Sequence, residues 1–164
     1  MVDYEQLLML VPSSVSFGYS SVSLCHPSEL QKRQVGYAVH PDGTSLCGDE
    51  DGDWRSNWLV IGDEGECGDP IFIDTAALGY PVYTAWHDEG RWDPKPIAVS
   101  LNGLREALAA VAKAAKGREN PIALEQYPIT TTERKTVLEE IRQHNPDIDL
   151  FFWALMMGDD LEGR

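Results

Sequence analysis

Four carboxylates crowd the stretch Gly48-Asp49-Glu50-Asp51-Gly52-Asp53, and acids at alternate positions are the raw material of a calcium loop. The EF-hand pattern would next need Gly at position 54 and Glu at position 60. The chain has Trp54 and Val60 there, so the pattern fails twice. A solvated acidic loop is the better reading of these residues than a loose cation site. Gly18-Tyr19-Ser20-Ser21-Val22 opens like a nucleophile elbow but lacks the closing glycine. His26, His40, His87 and His144 keep no zinc spacing with one another or with Cys25, Cys47 and Cys67. No phosphate-cradling Gly-Lys-Ser/Thr loop and no G-x-G-x-x-G occurs. The residue chemistry therefore predicts no catalytic group, no metal and no cofactor.

What the acids can do is attract. The chain has 164 residues and a formal charge of −14, with 24% charged residues. The excess is concentrated: residues 42–93 hold 13 acidic against 2 basic side chains, a net of −11. Such a segment repels nucleic-acid phosphates and anionic membrane surfaces, and it steers basic proteins inward. The candidate partner-binding carboxylates are Asp49, Glu50, Asp51, Asp53, Asp63, Glu64, Glu66, Asp88 and Glu89. Trp54 and Trp92 lie among them and are the candidate aromatic anchors, since large rings supply contact area while charges steer encounter. The alternative is that these rings only cover a sheet edge, whereas Trp86 in a strand reads as core.

Regular elements must hold these groups. Residues 3–11 suggest a short helix closed by Pro12. Val15, Phe17 and Tyr19 alternate as a half-buried strand, with Val22 and Leu24 in the opposite phase and a bend near Ser20-Ser21. Pro27 to Gln31 reads as a helix start and residues 40–57 as loop. Leu59-Val60-Ile61 and Ile71-Phe72-Ile73 read as strands around a turn over residues 62–70, followed by strands at Val82–His87 and Ile97–Val99. Leu101, Leu104, Leu108, Val111 and Ala115 line one face of a helix that Ser100 caps. A second helix spans about Thr132 to His144, stopped by Asn145-Pro146. The apolar run Ile148 to Met157 is too short to cross a bilayer and reads as a buried element or an oligomer surface. An odd cysteine count without C-x-x-C favours free thiols in a reducing compartment, and the N-terminal segment has neither the basic flank nor the apolar length of a signal sequence. The expected location is cytoplasmic.

Ser23-Leu24, Pro27-Ser28-Glu29-Leu30, Val60-Ile61-Gly62-Asp63, Gly68-Asp69-Pro70-Ile71-Phe72-Ile73-Asp74, Pro81-Val82-Tyr83 and Val99-Ser100-Leu101 follow one another in this order. Over about residues 22–108 the chain resembles the SUKH superfamily, which groups Smi/Knr-like regulators with many bacterial immunity proteins. The resemblance implies an α+β fold, a mostly antiparallel sheet of four to six strands flanked by helices in a single domain. It also implies a non-enzymatic role, with many bacterial members thought to neutralise a toxin, often a nuclease. Read alone, the motif residues have structural roles: Gly62 and Gly68 permit turn dihedrals, and Asp63 and Asp69 bond amides within the turn. The expected organisation is a SUKH-like core over residues 1–118 and a helical extension over 119–164 packed on it. The expected function is a protein-binding module, an immunity protein that neutralises a basic toxin. An intracellular regulatory or scaffold module for a host protein is the alternative, with a homodimer surface at 148–157, and a metal-dependent hydrolase is the remote one.

Overall fold

Strand-forming residues with period-two alternation dominate the first two-thirds of the chain, and a computed structural model, which describes residues 3–159, pairs them into one sheet. The strands are β1 (Ser14–Phe17), β2 (Ser20–Leu24), β3 (Trp58–Glu64), β4 (Pro70–Asp74), β5 (Val82–Asp88) and β6 (Arg91–Ala98). Each runs antiparallel to the next, and spatial order equals chain order. The helices are α1 (Tyr4–Leu8), α2 (Leu30–Arg33, entered through a 3-10 turn at Pro27–Glu29), α3 (Leu101–Ala115), α4 (Pro121–Gln126), α5 (Thr131–His144) and α6 (Phe151–Met156). The expected α+β class with an antiparallel sheet is what the chain forms.

Alternation gives the sheet two buried faces. Ile61, Ile71, Ile73 and Val82 point to one side, where Leu101, Leu104, Leu108 and Val111 of α3 meet them. Ile141 of α5 and Trp153 of α6 complete this core, and both are fully buried. Val60, Phe72 and Ala85 point to the other side, where Trp54 covers them from the long connection between α2 and β3. Residues 119–159 are therefore continuous with the main core rather than appended to it.

Polar side chains close the places where the ladders stop. β2 pairs with β3 only from Gly62 to Glu64. Beyond that, the buried Gln34 amide takes over the role of a strand, donating to Val60 O at 2.9 Å and accepting from Val60 N at 3.0 Å. Fully buried Asn145 accepts from Val99 N at 3.0 Å and donates to Gly103 O and Ile141 O at 3.0 and 3.1 Å. It thereby ties the end of α5 to the β6–α3 junction. A Cβ at Gly103 would lie 2.3 Å from Asn145 Oδ1, so this glycine exists for close approach. Trp153 donates its indole N–H to Ile97 O at 2.9 Å, which fixes α6 on β6.

Several local expectations need correction. Ser20-Ser21 is not a bend within one strand, because Phe17 pairs with Ser20 across the tight Gly18-Tyr19 turn and leaves Tyr19 77% exposed. β3 runs on through Asp63 and Glu64, which the sequence reading gave to the turn. Gly62 has no positive φ; it admits the backbone of β2, since a Cβ there would lie 2.1 Å from Ser23 O. β6 begins six residues before the expected strand and contains Pro94 and Pro96, which an edge strand tolerates where the N–H would face solvent. The run Ile148–Met157 owes its apolar character to packing within the chain: Leu150, Trp153, Ala154, Met156 and Met157 are buried, and Leu155 remains exposed.

Candidate functional site

A meander puts alternate connections at opposite ends of its sheet. The β1–β2 turn, the β3–β4 loop and the β5–β6 turn thus share one end. Glu64 and Glu66 belong to the second of these, and Asp88 and Glu89 to the third. The 49–53 loop reaches the same end across the second face: Trp92 N donates to Gly52 O at 2.9 Å, and Arg91 bonds Asp51. Topology brings together acids that lie up to 40 residues apart in the chain.

Not all of that charge is free. Asp51 is held by Arg91, and Asp63 accepts from Arg33 at 2.6 Å, which removes Asp63 from its expected turn-bonding role. Asp53 bonds the Glu50 amide at 2.9 Å and acts within its own loop. Glu64 takes over the organising role in the β3–β4 loop: it accepts from Cys67 N, Asp69 N and Glu66 N at 2.6, 3.1 and 3.1 Å. Of the nine candidate carboxylates, all but Asp51 and Asp63 lack a basic partner among the described residues.

The aromatic anchors behave differently from expectation. Trp54 is 1% exposed and packs against Phe72, Trp58, Trp92 and Tyr37, with ring centroids 4.7 to 5.3 Å apart. Its indole N–H is spent on Trp58 O at 3.3 Å. It is a core residue of the second face and offers a partner nothing. Trp92 is half-buried, with His87 stacked on it at 4.2 Å. Trp86, expected in the core, is 48% exposed.

Trp86 belongs to a cleft of about 530 Å³ on the helix side of the same sheet end. Val22, Thr84, Ile97 and Met156 are its buried lining; Phe151, Phe152 and Leu155 of α6 flank it. Glu64, Glu66, Cys67, Asp69 and Asp149 stand at its more exposed rim. Thr84 and Lys95 are register partners on one face, and Lys95 is drawn to Asp93 at 3.0 Å and over the Trp86 ring at 5.8 Å. Thr84 Oγ1 is buried without a hydrogen-bond partner among the described residues. Sequence reasoning missed this cleft because its lining comes from four strands and α6, and only the apolar 148–157 run hinted at it.

Glu64, Cys67 and Asp69 place potential metal-ligating atoms within 4.8 Å of one another. Burial, and then the charge of Glu64, pushes the Asp69 carboxyl above the ordinary aspartate range. The Glu64 charge foremost, then burial, pushes the Cys67 thiol up. A protonated thiol beside a carboxylate already saturated by loop amides is a poor ligand set as it stands. No helix among the described residues is long and apolar enough to cross a membrane. No family model, curated protein or solved structure matches this chain.

Proposed function

We propose that this chain is a non-catalytic protein-binding module that docks a basic protein through the acidic end of its sheet, as a SUKH-type immunity protein would dock a toxin. The reading rests on one observation: three acidic connections from distant parts of the sequence meet at one sheet end, and most of their carboxylates have no basic partner among the described residues. Unpaired surface charge of one sign costs folding stability through self-repulsion and raises the encounter rate with the opposite sign. A partner that handles nucleic acid carries a basic groove, and carboxylates at this density match the charge it expects from phosphates. Glu66, Asp88 and Glu89 are the exposed core of the docking face, joined by Asp49 and Glu50 from the crossing loop. With Trp54 withdrawn, the aromatic contribution falls to Trp92 and Trp86.

Affinity capture from the native cell, followed by identification of the bound protein, supplies the partner, and its nature separates a toxin from a host regulatory target. The association rate is then measured against salt and with D49N/E50Q/D88N/E89Q, whose four side chains make no hydrogen bond or ion pair among the described residues. We expect a basic partner and an association rate that falls about tenfold or more between roughly 50 and 500 mM salt, with a similar fall in the variant at low salt. An association rate indifferent to both salt and these four charges overturns the reading.

A further inference from the structure

We infer that the cleft beneath α6 is a binding site for a small aromatic amine that carries a hydrogen-bonding group at the end remote from its cation. The cleft shares Glu66 and Trp86 with the proposed docking face, but it is argued from its own cavity and from Thr84 and stands without that reading. Its size, about 530 Å³, is within the range of small-molecule pockets, roughly 300–1,000 Å³, and its walls are of the kind such pockets use. Trp86, Phe151 and Phe152 are ring surfaces that other side chains leave partly uncovered. Aromatic faces favour a flat apolar body, and they favour a cation nearby.

The polar groups set the two ends of the occupant. Thr84 is 6% exposed, lines the cleft, and has a hydroxyl oxygen that no donor or acceptor of the described chain reaches. A buried hydroxyl without a partner is costly, and a ligand hydroxyl or amide placed against it removes the cost. The rim is the reverse case. Glu64, Glu66, Asp69 and Asp149 line it against a single cation among the described residues, Lys95, which is already engaged by Asp93. A ligand cation therefore belongs at the rim, the ring between the aromatic walls, and the hydrogen-bonding group at Thr84. A carboxylate in place of the amine would meet four like charges.

Three probes share one body and test each end: tyramine, phenethylamine without the hydroxyl, and 3-(4-hydroxyphenyl)propionate with the charge reversed. Titrations followed by amide and indole NMR shifts give affinity and location together. Tyramine should bind saturably, with shifts centred on Thr84, Trp86 and Leu155. It should bind about threefold or more tightly than phenethylamine and about tenfold or more tightly than the propionate. Thr84→Val keeps the shape and should erase the difference between the two amines. E66Q/D149N should weaken both amines and leave the propionate unchanged or better bound. Equal binding of all three probes, shifts elsewhere on the surface, or no saturation by about 10 mM would overturn the assignment.

Discussion

Asp69 shows how a single side chain can be held against its own preference. It sits partly buried, next to the Glu64 charge, and both effects raise its pKa. A raised folded-state pKa means that the folded chain binds this proton more tightly than the unfolded chain does. The carboxylate therefore opposes folding at neutral pH, and the penalty disappears as the pH falls through the raised value. Asp69→Asn should raise the urea midpoint at about pH 7, and the gain should shrink towards zero near pH 4. A gain that does not vary with pH would locate the effect in packing instead. This pair was only half legible in the sequence: Glu64 stood out as an acid, but its three loop amides depend on a backbone path that residue types do not disclose. Thr84 was invisible for the same reason, since a lone threonine in a strand signals nothing until its neighbours fail to reach it.

At the scale of elements, the loop over residues 40–57 is the lesson. Its Gly and Asp density correctly marked it as irregular, and irregular was too readily equated with exposed. Trp54 inserts from that loop into the second face and meets Phe72 at 4.7 Å, so the loop supplies the largest buried side chain of that face's core. Trp54→Ala should cost about 3–5 kcal/mol by denaturant unfolding, whereas D49N/E50Q should stay within about 0.5 kcal/mol of the parent. Small effects at both would return Trp54 to the surface. The regular elements were more legible where one periodicity prevailed: α3 and its Ser100 cap, which accepts from Gly103 N at 3.0 Å, follow from apolar spacing alone. β6 was not, because Asp93, Lys95 and two prolines mask a strand whose only neighbour among the described strands is β5.

For the molecule as a whole, α5 and α6 share one core with the sheet. Val137, Ile141 and Trp153 enter the same core as the strands, and Asn145 stitches three segments at its centre. Asn145→Ala would leave a buried Gly103 carbonyl and the Val99 amide without their side-chain partner, and it should cost about 3 kcal/mol in a single unfolding transition. Two separated transitions would mean that the C-terminal helices melt alone. The sequence marked Asn145-Pro146 as a helix stop and could not reveal the rest, since its partners come from positions 99, 103 and 141. The border strand β6 also bears on how copies of this chain behave together. Two of its eight residues are prolines, so its outer fringe has gaps in the row of donors that another strand would need. At that margin the sheet is a poor template for cross-chain growth. A crowded solution of this acidic protein is thus guarded by missing hydrogen-bond donors as well as by mutual repulsion.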